Sequence, residues 1–76
     1  MELNEFIKNF SQQWDETDAE LFTPDCVFHD LEEWSSLIGL AILNMIVKKY
    51  GVKVAPAELK AAVTIEDVYN LVQSKL

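Results

Sequence analysis

Two serines, Ser35 and Ser36, stand side by side just ahead of an apolar run, Leu37 to Val47, which Asn44 interrupts. Hydroxyls next to a hydrophobic segment raise the question of nucleophilic chemistry. The rest of the chain does not supply the partners for it. His29 is the only histidine and Cys26 the only cysteine. The carboxylates offer many pairs but no spacing that fixes a general acid and a general base. One His and one Cys without paired spacing make a poor metal-ligand set, and a lone cysteine forms no disulfide within the chain. A hydrolase or transferase is therefore not the expectation, and the chain is read as a non-enzyme. What a serine does well here is structural. Its oxygen accepts an otherwise unpaired backbone N–H at a helix start.

Composition sets the frame in which those serines sit. With 76 residues, a single domain is expected. A core of that size is marginal, and here packed apolar side chains must hold it. The supply is adequate, at 50% hydrophobic residues with only two Gly and two Pro. The formal net charge is −7 and arginine is absent, which argues against nucleic acid as a partner. Ten of the thirteen acids fall within residues 1–33, where Lys8 is the one counter-charge. Such a bias either solvates the surface or steers the chain toward a basic partner. The N-terminal stretch is acidic and lacks the apolar core of a signal peptide. The apolar run is too short to span a bilayer, which takes roughly 20 residues. A soluble, cytoplasmic protein without membrane insertion is expected.

The elements that position Ser35 and Ser36 follow from periodicity. Leu3, Phe6, Ile7, Phe10 and Trp14 recur at helical spacing and predict an amphipathic helix over about 2–14. Residues 15–33 lack a sustained period and contain Pro24, which disfavours helix at Thr23. They read as a long loop with apolar anchors at Leu21, Phe22, Val27, Phe28 and Leu31, and long loops in small domains are often functional. A second helix is predicted over about 36–50. Ser35 or Ser36 would cap it, and Lys48, Lys49 and Gly51 mark its end. A short helix over about 57–62 follows Pro56. Thr64 with Asp67 three residues on resembles a capping box and opens a last helix over about 65–75. The fold class is all-α: three main helices and one short one in a small four-helix bundle, with a long loop between the first two.

At about 100° per residue, the second helix directs Gly39, Ile42, Leu43, Ile46, Val47 and Tyr50 to one side. Leu37, Ile38, Ala41, Asn44, Met45 and Lys48 fall on the other, with Leu40 between. Leu37, Ile38, Ala41 and Met45 are therefore expected to be partly exposed and to form an apolar docking patch.

Taken together, these residues resemble the acyl carrier protein family. The family's hallmark is Ser-Leu, usually preceded by Asp, at the start of the second helix after a long loop. Here it reads Trp34-Ser35-Ser36-Leu37. "IVKKYGVKV" is similar to the family's second-helix end and following extended hydrophobic, and "TIEDVYNLV" to the opening of its last helix. The likeness runs from Leu3 to Leu76. It implies a carrier rather than an enzyme. A phosphopantetheinyl transferase would move 4′-phosphopantetheine from coenzyme A onto Ser36, with Ser35 as the less favoured hydroxyl. The arm's thiol would hold acyl or aminoacyl groups as thioesters for loading, elongating or transferring enzymes. A serine at a helix start also suits a phosphodiester, which gains from unpaired N–H groups and the helix dipole.

Two departures from the family pattern sharpen the expectation. Ser35 replaces the usual Asp, and it can cap the helix in its place. Residues 36–50 contain no acid, whereas fatty-acid carriers of the family usually show acids along this helix. The docking surface, taken as Leu37, Ile38, Ala41 and Met45 with Glu33 and Trp34, is then more apolar than the family norm. Asp30, Glu32 and Glu33 supply the remaining steering. A dedicated, monomeric carrier is expected, serving a specialised lipid, polyketide, peptide or surface-polymer pathway rather than housekeeping fatty acid biosynthesis. Trp34 either anchors the loop or touches the arm or a partner. The rival reading is an unmodified helical interaction domain that keeps the carrier fold.

Overall fold

The first helix is amphipathic as expected but stops early. In the computed structural model, which describes residues 1–76, α1 is Leu3–Ser11. Phe6 and Phe10 are fully buried. The backbone then tightens, with the N–H of Gln13 on the Phe10 carbonyl and that of Trp14 on the Ser11 carbonyl. Trp14 keeps its place in the core from this turn, not from the helix. The apolar stripe correctly marked Trp14 as core and misplaced the helix end, because a turn of this kind continues the same face.

The second helix, α2, is Ser36–Tyr50 and matches the expected range. Gly51 ends it with φ 69°, and its N–H bonds the Val47 carbonyl at 3.0 Å. That left-handed position suits glycine. Val52 and Val54 are buried along the extended link that follows. The short α3 is Pro56–Ala61, shifted by one residue from expectation, with Leu59 buried. The last helix, α4, is Ile65–Ser74 and buries Ile65, Val68 and Val72. The fold is all-helical with no strand beyond a single bridge, Val27 to Thr64.

The helices pack around one aromatic-rich core in which α1 meets α4 and α2, and α2 meets α3. Asn9, the one buried polar residue, donates to the Tyr50 hydroxyl at 2.9 Å and so ties α1 to the end of α2. That bond satisfies a group that would otherwise be costly to bury.

The loop over 15–33 contains two single-turn segments, Ala19–Leu21 and Phe28–Asp30. Of its five expected anchors, Phe22 and Phe28 are buried and Leu31 is half-buried, while Leu21 and Val27 face solvent. The Val27 backbone forms an antiparallel bridge with Thr64. No helix is long and apolar enough to cross a membrane.

Candidate functional site

The start of α2 separates the two serines. Ser35 is the N-cap, with extended backbone (φ −158°, ψ 170°), and its hydroxyl accepts the Ile38 N–H at 3.4 Å. Ser36 is the first helical residue and is exposed. Its side chain takes no part in the cap. The Gly39 N–H already bonds the Ser35 carbonyl. The amides of Ser36 and Leu37 therefore remain as the open donors of the helix start. A free hydroxyl beside open amides at the positive end of a 15-residue helix favours an anionic group.

The segment ahead of Ser35 is tied down at two points. The Glu33 carboxylate accepts the N–H groups of Asp15, Glu16 and Thr17 at 2.6, 2.9 and 3.0 Å, and the Thr17 hydroxyl at 2.7 Å. The Thr17 hydroxyl, followed by the backbone donors, holds this carboxyl below its ordinary range. Glu33, expected to steer partners, thus has its oxygens occupied in clasping the loop to the turn after α1. Sequence reasoning missed this clasp because its two halves lie 16–18 residues apart. Trp34 supplies the second anchor. Its ring packs against Phe28, His29 and Trp14, with centroids 5.5, 4.6 and 5.9 Å away. A methyl group on Gly39 would meet the Trp34 ring at 3.1 Å, so glycine lets the ring lie across the first turns of α2. Of the two roles expected for Trp34, the structure displays the anchoring one.

The docking patch needs correction. Ile38 and Met45 were expected outside, yet they are only 9% and 5% exposed. Ala41 is half-buried, and Leu37 is open at 77%. Leu40 and Val47, at 55% and 50%, complete the exposed stripe instead. The helix is rotated from the expected orientation toward the Ile38–Met45 side. An apolar sequence on nearly all sides carries no preference of its own, so the neighbours decide. The turn after α1 reaches the Met45 side, where Gln13 and Met45 share a surface recess. Leu59 of α3 lies near Gly39. Asp30 and Glu32 stay exposed ahead of the stripe, and Lys48 and Lys49 at its far end.

Beside Ser36, a cleft of about 450 Å³ opens between α2 and α3. Ser36, Leu40, Leu43, Leu59 and Trp34 line it, together with His29 from the loop. The His29 Nε2 is shielded from solvent and has no hydrogen-bond partner. Burial pushes this imidazole below its ordinary value, against the opposing pull of Asp30. The neutral form that this favours has one ring nitrogen as donor and the other as acceptor. Burial, then the nearby Asp25 charge, pushes the Cys26 thiol up, away from reactivity. No group of His, Cys, Asp or Glu is arranged to hold a metal ion.

No family model, curated protein or solved structure matches the chain.

Proposed function

We propose that this chain is a carrier protein of the acyl carrier type, with 4′-phosphopantetheine attached to the Ser36 hydroxyl. The observation that carries this reading is the division of labour at the start of α2. Ser35 is engaged as the cap, while Ser36 presents a free hydroxyl next to open amides. The residues around Ser36 suit the group. The open amides would receive its phosphodiester, and the cleft has apolar walls from Leu40, Leu43 and Leu59. When attached, the arm would supply a terminal thiol that carries acyl or aminoacyl cargo as a thioester. The chain's own work is to hold the serine rigid through the Glu33 clasp and the Trp34 anchor, and to offer a face for enzymes to read. That face is the stripe of Leu37, Leu40 and Val47, which calls for a partner with an apolar contact surface. The partners in this reading are a phosphopantetheinyl transferase and the enzymes that load, elongate or transfer the cargo, and the carrier acts as a cytoplasmic monomer.

Incubating the purified protein with coenzyme A and a broad-specificity transferase, then weighing it intact, tests the proposal. The phosphopantetheine mass increment is expected. An unchanged mass with several transferases would overturn it. That second outcome favours an unmodified interaction domain, a reading supported by the same exposed stripe.

A further inference from the structure

We infer that the far end of α2 docks an acidic segment of a partner protein, one that brings an apolar side chain flanked by carboxylates. A surface recess of about 610 Å³ is formed there by Gln13, from the turn after α1, and the second half of α2. Its apolar lining is Ala41, Met45 and Val47, and its polar lining on α2 is Asn44, Lys48 and Lys49. Gln13 is fixed on its wall by donating its amide to the Asn9 carbonyl at 3.1 Å. Val47 is 50% exposed, and both lysines face solvent. The charges set the sign of the partner. The one ion pair of the chain joins Lys75 to Glu58 at 3.1 Å, so neither Lys48 nor Lys49 has a carboxylate partner. Between Glu33 and Glu58 the sequence holds three lysines and no acid, an island of positive charge in a chain of net −7. Offsetting the helix dipole accounts for cations at a helix end. It does not account for Val47 opening on the same recess, in continuation of Leu37 and Leu40. Two free ammonium groups beside an apolar contact call for carboxylates. This sign is opposite to that of the acids usual along this helix in fatty-acid carriers, and a basic surface suited to those would be repelled here. Polyanions match less well. Two lysines are too few for a phosphate backbone, or for an anionic membrane, which takes clusters of roughly four to eight cations. The consequence is orientation. Ser36 and Lys48 lie about 18 Å apart along α2, and Asp30 and Glu32 are exposed ahead of the serine. A partner on the stripe therefore turns its acidic end away from Ser36. The inference deepens the docking face of the carrier reading and holds whether or not Ser36 is modified.

Nuclear magnetic resonance titration of the unmodified protein tests the inference. The probes are two synthetic peptides of equal length with leucines at helical spacing, one with glutamates beside them and the other with lysines. The glutamate peptide should shift the backbone amides of Val47, Lys48 and Lys49 and the side-chain amide of Gln13. The lysine peptide should leave those signals in place, as should vesicles of phosphatidylcholine and phosphatidylserine. Reversing both charges, Lys48→Glu with Lys49→Glu, should weaken binding of the glutamate peptide by about tenfold or more. Both side chains are exposed, so the melting temperature should stay near that of wild type. The milder pair Lys48→Gln with Lys49→Gln should weaken binding by a smaller factor, and it serves if the reversal disturbs the helix end. No shift at the recess with the glutamate peptide, or equal shifts with both peptides, would overturn the inference. Binding left unchanged by the charge reversal would do the same. Shifts caused by the vesicles alone would overturn the choice of a protein partner. None of these readouts requires phosphopantetheine, so a failure here leaves the carrier reading standing, and a missing mass increment sinks that reading alone.

Discussion

The starts of α2 and α4 solve the same problem to different degrees. At α4, every early amide has a partner. The Ile65 N–H bonds the Cys26 carbonyl at 3.1 Å, and that of Glu66 bonds the Pro24 carbonyl at 3.0 Å. The Asp67 N–H bonds the Thr64 hydroxyl at 3.1 Å, and the Asp67 carboxylate returns to the N–H groups of Thr64 and Val63. At α2, one long cap bond from the Ile38 N–H to Ser35 is all that the side chains supply. No acid stands in the first turn. A fully closed helix start is a fixture of the fold. A half-open one, next to an exposed hydroxyl, is a place where something else can bind.

Phe28 joins the two starts. It follows Val27, which bridges to Thr64, and its ring lies 5.5 Å from that of Trp34. Being fully buried, it should carry the largest effect: Phe28→Ala costs about 3–5 kcal/mol. Denaturant unfolding would measure this, and a loss below about 1 kcal/mol would mean that the joint is not shared.

Acid separates the starts. Hydrogen bonds lower the Asp67 and Glu33 carboxyls, from the Thr64 backbone first in one case and the Thr17 hydroxyl first in the other. The Ala55 backbone and then Lys75 lower Glu58. Each group binds its proton more readily in the unfolded chain. The stability they contribute is thus present above their ordinary values and is lost as pH falls, beginning near 4.5 for the glutamates. Amide exchange in acid should rise first around Val63–Asp67 and Asp15–Thr17. The cap of α2 contains no titrating group and should persist. Simultaneous opening of both starts would contradict the distinction.

Smaller effects follow from the caps themselves. Thr64→Ala should cost about 1 kcal/mol, or roughly 4–8 °C in Tm for a domain of this size. Ser35→Ala should cost about 0.5 kcal/mol, the low end for a cap, because its bond is long. Equal losses by thermal melting would erase the contrast between closed and open starts.

What was legible in the sequence was local. The range of α2 came from Ser35, the two lysines and Gly51, and the α4 start came from Thr64 and Asp67, because each signal acts within one helical turn. The end of α1 was not legible, since the stripe through Trp14 continues into a turn that buries the same face. The outward side of α2 was misjudged at Ile38 and Met45, because a helix apolar on nearly all sides is oriented only by its neighbours. The Glu33 clasp was invisible for a related reason: its donors lie in a different part of the chain. At the candidate site, the pair of hydroxyls was legible, and so was the capping role given to Ser35. The cleft and the unpartnered His29 nitrogen needed three-dimensional packing.

The account rests on Ser36 being the free hydroxyl and Ser35 the spent one. The most direct test puts the variants Ser36→Ala and Ser35→Ala side by side with wild type, each incubated with coenzyme A and transferase and then weighed intact. The mass increment should vanish in Ser36→Ala, whose melting temperature stays near that of wild type, and should persist in Ser35→Ala. An increment retained in Ser36→Ala and lost in Ser35→Ala would contradict the account.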